Sequence, residues 1–331
     1  MRMTMTSHAR IAALLLAALA FPSSAQDLGT RSIPTRVELH PIASLTISDE
    51  GFLKGDESGK PVTVAGQLRV AQGSGKLPAV VLIHGSSGIG PNNEMWIRDL
   101  NAMGISTFSL DGFTGRGLTT VGADQAQLGR LNLIVDAYRA LDILAKHPRV
   151  DPQRIVLMGF SRGGQATLYA SLKRFNETWN TSGARFAAYI PFYPDCSTSY
   201  QDELDLAGPV RVFHGTPDDY NPVAPCKAYI ERLRTAGQDV QLTEYPNGQH
   251  SFDNPIGSLT PAVSRNSQTV RNCRIREEGA GMLVNNATKE RFSYKDACVE
   301  RDPHTGHDPA ASEAARKAVA DFLRTTFKLG G

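Results

Sequence analysis

Buried strands and helices alternate along much of this chain, and this alternation restricts its fold more than any other feature. The run 77–83 is continuously apolar and rich in β-branched residues, as is typical of a strand buried on both faces. Glycine-rich sequence follows this run directly, and a helical segment comes next. The pattern then repeats towards the carboxyl terminus. It predicts an α/β fold with a mostly parallel central sheet that is flanked by helices on both faces.

The predicted elements follow from apolar periodicity and from glycine and proline at their ends. Strands are predicted over 36–47, 62–70, 77–83, 105–110, 154–160, 185–190, 210–214 and 240–245. Helices are predicted over 92–103, 124–147, 163–175, 222–235 and 309–327. The last helix has Asp308 at its N-cap and Pro309 at its first position, where both residues are favoured. Active sites of such sheets lie at the carboxyl ends of the strands, so reactive side chains are expected there.

The first 25 residues have the pattern of a cleaved secretory signal peptide. Arg2 and Arg10 form a basic start, 11–21 is apolar, and small residues occupy 23–25. The apolar run is too short to cross a bilayer, which needs about 20 residues. We predict cleavage after Ala25, a single domain over 26–331, a secreted or periplasmic location and no stable membrane association.

Residues 254–308 do not fit the alternation. They are polar, contain two cysteines and show no clear period. We interpret them as a surface insert, which could be a β-hairpin closed by a disulfide. The insert follows the strand 240–245, whose carboxyl end lies at the edge where active sites of such sheets are found. It is therefore either a lid over such a site or a structural excursion.

The chain has four cysteines, Cys196, Cys226, Cys273 and Cys298. An exported protein meets an oxidising compartment, so two disulfides are expected. Of the three possible pairings, Cys196–Cys226 and Cys273–Cys298 are favoured. The first would join two loops near the predicted active site, and the second would close the insert. No C-x-x-C pair is present, so the spacing does not predict a zinc site.

The balance of charge argues against nucleic acid as a partner. Removing the two arginines of residues 1–25 from 35 Lys plus Arg leaves 33, against 33 Asp plus Glu. A nearly neutral net charge gives no indication that the partner is a nucleic acid or an anionic membrane.

The sequence Gly159-Phe160-Ser161-Arg162-Gly163 matches G-x-S-x-G between a predicted strand and a predicted helix. This strand-turn-helix context is that of a nucleophile elbow, in which a sharp turn exposes the serine hydroxyl at the edge of the sheet. Ser161 is therefore the candidate nucleophile. The alternative is a tight turn with an incidental serine.

A serine nucleophile needs a base, and the base needs an acid that fixes its tautomer. His250 lies on a loop after the strand 240–245, and Asp218 and Asp219 lie after the strand 210–214. The chain order Ser, Asp, His is that of α/β-hydrolases. The alternative for His250 is an ordinary histidine of a surface loop.

Acyl transfer also needs donors for an oxyanion. The sequence HGSSG over 84–88 follows the buried strand 77–83. We predict that the backbone N–H groups of Ser86 and Arg162 form the oxyanion hole. The alternatives are a plain glycine-rich turn or a phosphate cradle, but no Lys-Ser/Thr pair follows, which excludes a P-loop.

Four pieces of this sequence, HGSSG, GFSRGG, HGTPDDYNP and GQHSFDNP, resemble the dienelactone hydrolase family of α/β-hydrolases. In that family the acid stands three residues after a strand-end glycine and four before a proline. Gly215, Asp218 and Pro222 match this spacing, so the resemblance implies Asp218 rather than Asp219 as the acid. The family histidine, which precedes a small residue and a phenylalanine, falls on His250.

The resemblance implies an α/β-hydrolase fold and hydrolysis of a small carboxylic ester or lactone, with no metal or organic cofactor. The founding members are intracellular and use cysteine where this chain has Ser161. A serine here implies an acyl-enzyme intermediate on that residue. A peptidase, an amidase or an acyltransferase could use the same triad, and a non-catalytic binding protein is a further alternative.

Overall fold

The computed structural model describes residues 31–279 and 281–329, so the predicted signal peptide over 1–25 lies outside the described residues. The first nine strands are β1 Arg36–Thr46, β2 Lys60–Val70, β3 Leu77–Ile83, β4 Ser106–Asp111, β5 Val150–Phe160, β6 Ala188–Phe192, β7 Thr198–Ser199, β8 Val210–Gly215 and β9 Val240–Tyr245. Eight of them form one sheet in the order β1-β2-β4-β3-β5-β6-β8-β9. The strands from β4 to β9 in this order are parallel, whereas β2 is antiparallel to both β1 and β4. The prediction of a mostly parallel sheet is confirmed.

Helices cover both faces of the sheet. They are α1 Asp49–Lys54, α2 Pro91–Ala102, α3 Asn132–Lys146, α4 Arg162–Ala170, α5 Lys173–Trp179, α6 Val223–Thr235 and α7 Pro309–Phe327. Along β3, Val81 and Ile83 pack in one apolar cluster with α3 and α4. Val80 and Leu82 pack in a second cluster with α2 and α7. Alternate residues of a strand point to opposite faces, so a continuous apolar run is what a doubly covered strand requires.

Two predicted helices are wrong in their extent. The helix expected over 124–147 is a 3₁₀ turn at Gln125–Gln127, followed by α3 from Asn132. Leu128 has an extended backbone between the two, which breaks the periodic pattern. The helix expected over 163–175 is divided into α4 and α5 because Leu172 is also extended. Helix α7 begins and ends as predicted, and the Asp308 side chain accepts a hydrogen bond from the Ala311 N–H.

The insert, residues 254–308, is built from short strands. They are β10 Ala262–Val263, β11 Gln268–Thr269, β12 Ile275–Glu278, β13 Met282–Asn285, β14 Glu300–Arg301 and β15 His304–Thr305. Strands β12 and β13 form the predicted hairpin, and β12 also pairs in parallel with β7. Both favoured disulfides form, Cys196–Cys226 between the β6–β7 loop and α6, and Cys273–Cys298 around the hairpin. Among the described residues, no helix combines the length and apolar character that crossing a membrane would require.

Candidate active site

Ser161 lies at the sharp turn between β5 and α4, as the G-x-S-x-G pattern predicts. Its φ of 53° is in the left-handed region, which non-glycine residues seldom adopt. The turn also brings Gly163 against β3, where a Cβ atom would collide with the carbonyl oxygen of Ile83. A glycine is therefore needed beside the serine, and the strained turn leaves the Ser161 side chain partly exposed at the edge of the sheet.

The structure brings Ser161, His250 and Asp218 together in one hydrogen-bonded chain. His250 Nε2 lies 2.8 Å from Ser161 Oγ, and His250 Nδ1 lies 2.8 Å from Asp218 Oδ2. The other carboxylate oxygen, Asp218 Oδ1, accepts hydrogen bonds of 2.9 Å from the N–H groups of Tyr220 and Asn221. Only 2% of His250 and 3% of Asp218 is exposed. The acid is thus fixed by the backbone, and the imidazole is oriented towards the serine.

The acid and histidine loops meet because β8 and β9 are parallel neighbours that end side by side. Gly215, at the end of β8, pairs with Tyr245, at the end of β9. A Cβ atom at Gly215 would collide with the carbonyl oxygen of Gly248. Two loops that are distant in sequence therefore come into direct contact only because this position is a glycine.

Asp219 faces away from the imidazole and towards the insert. It accepts hydrogen bonds from the backbone N–H of His304 at 2.7 Å and from His304 Nδ1 at 2.8 Å, and Arg271 Nη1 lies 3.1 Å away. Burial acts to raise the pKa of Asp219, but the His304 hydrogen bonds and the Arg271 charge together hold that pKa below its ordinary value. The two adjacent aspartates thus contact different parts of the molecule.

Two tyrosines enclose His250 and were not identified from the sequence. The ring centroids of Tyr193 and Tyr220 lie 4.8 and 4.4 Å from that of His250. Tyr193 directly follows β6 with a left-handed φ of 36°, and its hydroxyl donates a 2.7 Å hydrogen bond to the buried Asp253. Burial raises the pKa of Asp253, which also accepts a 2.8 Å hydrogen bond from Trp96 Nε1. In the sequence, the one feature that could have indicated a place for Tyr193 at the site was its position near the end of a predicted strand.

The two predicted oxyanion donors lie on either side of Ser161. Arg162 is the first residue of α4, so the helix supplies no acceptor for its N–H group. On the other side, a Cβ atom at Gly85 would lie 3.3 Å from Ser161 Cβ, which places the following residue, Ser86, beside the serine. Ser86, Ser161 and Arg162 line one cavity.

The insert forms one wall of the cleft around Ser161. Gln268, Thr269 and Val270 line the cavity that contains Ser161 and Arg162. Ser264, Ser267 and Thr305 line the adjoining cavity, which contains Ser161 and His250. In addition, Thr269 Oγ1 donates a 2.5 Å hydrogen bond to the carbonyl oxygen of Tyr220, on the acid loop. The insert therefore contributes directly to the cleft instead of projecting from a remote surface.

Known proteins resemble this chain in sequence over part of its length, and solved structures resemble it in fold. A 108-residue stretch is 32% identical to acyl-protein thioesterase 1 of Gibberella zeae, covering 30% of this chain and 42% of that protein. A 105-residue stretch is 29% identical to "Probable carboxylesterase SOBER1-like" of Arabidopsis thaliana, covering 32% of this chain and 39% of that protein. The chain thus spans about two fifths of the length of these relatives.

Solved structures extend the likeness to nearly the whole fold. A dienelactone hydrolase-like promiscuous phosphotriesterase from metagenomic libraries superposes with a TM-score of 0.54 and 17% identity, covering 89% of this chain and 99% of that one. This similarity shows an α/β-hydrolase fold. The sequence model of the dienelactone hydrolase family matches residues 64–327, which is most of the chain. The protein therefore belongs to the dienelactone hydrolase family.

Proposed function

We propose that this protein is a serine hydrolase that cleaves a carboxylic ester or lactone through an acyl-enzyme intermediate. The observation that carries the proposal is the chain of two 2.8 Å contacts from Ser161 through His250 to Asp218. Family membership and the esterase and thioesterase names of the relatives support a substrate with an activated acyl group.

In the first half of the proposed reaction, Ser161 Oγ attacks the carbonyl carbon of the ester, and its proton passes to His250 Nε2. The Asp218 carboxylate holds the Nδ1 proton and stabilises the imidazolium that forms. The carbonyl oxygen becomes an oxyanion, which accepts hydrogen bonds from the N–H groups of Ser86 and Arg162. When the intermediate collapses, the bond to the alcohol oxygen breaks, and His250 gives its proton to that oxygen.

In the second half, water replaces the alcohol. The water oxygen attacks the acyl carbon of the acyl-enzyme while His250 takes a proton from that water. The N–H groups of Ser86 and Arg162 donate hydrogen bonds to the second oxyanion. Collapse of this intermediate breaks the bond to Ser161 Oγ, and the proton returns from His250 to the serine. The products are a carboxylic acid and the free enzyme, so the chemistry is complete with the side chains of this chain alone.

We also propose that the protein acts outside the cytoplasm, as one domain over residues 26–331 after cleavage of its signal peptide. The two disulfides support this location because such bonds persist in oxidising compartments. Mass determination of the protein recovered from an expressing cell tests cleavage after Ala25. A chain that keeps its first 25 residues would contradict the proposal.

Hydrolysis of p-nitrophenyl esters from acetate to decanoate tests the proposed reaction. We expect Ser161→Ala to lower turnover by about 10⁴-fold or more, because removing the nucleophile leaves only binding and the oxyanion hole. Ser58→Ala, at an exposed serine before β2, is the matched control and should retain wild-type turnover. Titration of Ser161 with a fluorophosphonate gives an independent readout. Near wild-type turnover by a folded Ser161→Ala protein would contradict the assignment.

A further inference from the structure

One buried side chain connects the two residues proposed to form the oxyanion hole. Gln125 is 8% exposed and lies in the loop between β4 and α3. Its Oε1 accepts a 2.6 Å hydrogen bond from Arg162 Nη1, and its Nε2 donates a 3.1 Å hydrogen bond to Ser86 Oγ. A single amide therefore bridges the side chains of Ser86 and Arg162 across the cleft.

Further hydrogen bonds from the same loop hold both of these residues. The carbonyl oxygen of Ser86 accepts hydrogen bonds from the Val121 N–H at 2.8 Å and from Thr120 Oγ1 at 3.0 Å. Arg162 Nη2 donates to the carbonyl oxygens of Leu128 and Gly129. Residues 120–129, which we call the bridging loop, thus contact both Ser86 and Arg162 and hold them at the cleft.

The insert in turn supports the bridging loop next to Gln125. The Gln125 N–H donates a 2.8 Å hydrogen bond to Gln268 Oε1, and the Gln268 N–H donates one of 2.8 Å to the carbonyl oxygen of Gly122. These reciprocal bonds join two segments that are 143 residues apart in sequence. Gln268 also lines the cavity around Ser161, so the insert and the bridging loop meet at the site itself.

We propose that Gln125 is a positioning residue, which sets the separation of the Ser86 and Arg162 N–H groups for an oxyanion. This inference rests on the proposed function. Oxyanion donors act at about 2.7–3.1 Å from the oxygen that develops charge, and removing one costs about 10²–10³-fold in kcat. Gln125 lines the same cavity as Ser161, but the hydrogen bonds described above link its side chain to Ser86 and Arg162 and not to Ser161. Loss of the Gln125 side chain displaces two donors without removing either. We therefore expect a smaller loss in kcat than removal of a donor causes, and it should arise in the transition state, where the oxyanion carries charge.

The experiment compares Gln125→Met, which keeps the length of the side chain and removes its hydrogen bonds, with Gln127→Met. Gln127 is an exposed residue on the same 3₁₀ turn and is the matched control. For p-nitrophenyl acetate we expect Gln125→Met to lower kcat about tenfold with less than about a twofold change in KM. The inhibition constant of a trifluoromethyl ketone, which forms an oxyanion on Ser161, should rise by a factor similar to the loss in kcat. Gln127→Met should match the wild type.

If Gln125 had only a structural role, Gln125→Met would lower the melting temperature, but the loss in kcat would not match the rise in the inhibition constant. That result would overturn the inference. If Gln125→Met does not fold, Ser86→Ala takes its place, because it removes the Oγ that Gln125 binds and keeps the Ser86 N–H. A severalfold loss of kcat is then expected, and wild-type kcat would overturn the inference. Absence of Ser161-dependent turnover in the wild type would instead overturn the proposed function and this inference with it.

Discussion

The carboxyl edge of the sheet and the insert contribute to the same cleft but are held in different ways. At the edge, Ser161, Asp218 and His250 each lie just beyond a strand of the eight-stranded sheet, whose neighbours are joined along their length by backbone hydrogen bonds. Among the described residues of the insert, no strand exceeds four residues. Individual contacts attach it instead, such as those of Arg174 with Glu277, while the Cys273–Cys298 disulfide closes the insert on itself.

Because of this difference, we expect substitutions of the proposed catalytic residues and substitutions in the wall of the cleft to have different effects. A substitution of one triad side chain removes a chemical group while the many ladder hydrogen bonds of the sheet remain. A substitution at an insert contact removes one of several separate attachments, such as that between Arg174 and Glu277. We therefore expect variants at the sheet edge to lose rate with little loss of stability, and variants in the insert to lose stability first.

The largest effect is expected at the acid. Asp218→Asn should lower kcat by about 10⁴-fold, because an amide cannot hold the Nδ1 proton of His250 as the carboxylate does. Asp219→Asn is the matched control, one residue away, and should keep turnover within about threefold since its side chain contacts the insert and not the imidazole. Steady-state kinetics on p-nitrophenyl acetate measures both. A larger loss in Asp219→Asn than in Asp218→Asn would reverse the assignment of the acid.

The next effect is expected at the disulfide of the insert. Replacing both Cys273 and Cys298 by alanine should lower the free energy of unfolding by about 3 kcal/mol, since the bond closes a loop with a sequence separation of 25. Hydrogen exchange followed by mass spectrometry should show faster exchange within the insert, while β5 and β8 keep their protection. If β5 and β8 lost as much protection as the insert, the two regions would unfold together. That result would contradict the view that separate contacts attach the insert to the sheet.

A smaller effect is expected at the ion pair behind the hairpin. Glu277 is 5% exposed and accepts hydrogen bonds from Arg174 at 2.5 and 3.0 Å and from the Gln201 N–H at 2.9 Å. Glu277→Ala leaves these donors without their acceptor and should lower the free energy of unfolding by about 2 kcal/mol. Glu278→Ala, at the neighbouring and more exposed position, should change it by less than about 0.5 kcal/mol. Equal melting temperatures for the two variants would show that the pair does not stabilise the hairpin.

The sequence allowed prediction of those features that depend on local pattern. Strands β3 and β9 and helix α7 have the predicted bounds, because apolar runs and end residues mark them. The elbow and the acid and histidine loops were found because each follows a strand with a glycine nearby. The pairing of the cysteines followed from their positions relative to these loops.

The features that were missed depend on contacts between distant segments. Nothing next to Gln125 in the sequence shows that it meets Gln268, and its segment was predicted as the start of a long helix. Similarly, Asp253 lies near His250 in sequence, but its role as acceptor for Tyr193 depends on where β6 ends. The insert was recognised by its lack of period, yet its place in the wall of the cleft follows only from the folded chain.

The smallest effect concerns the charged contact between the acid loop and the insert. The folded-state pKa of Asp219 lies below its ordinary value, so its ionised form stabilises the fold above the pKa of the unfolded chain. This contribution is lost as pH falls through the folded-state pKa, when the carboxylate is protonated. The facing groups are His304 and Arg271, and Arg271 also binds Glu300, which shares its charge. The Asp219 side chain is 38% exposed, so solvent screening limits the effect to less than about 1 kcal/mol.

Thermal unfolding of the wild type and Asp219→Asn at several pH values measures this contact. At pH 7 the variant should melt slightly below the wild type, and the difference should shrink as pH falls and the Asp219 carboxylate becomes protonated, because both side chains are then neutral. Glu231→Gln, at an exposed carboxylate on α6, corrects for the general effect of removing one charge. A difference that persists in acid would contradict a contribution from the Asp219 charge, because both side chains are then neutral and each can still accept the His304 backbone hydrogen bond.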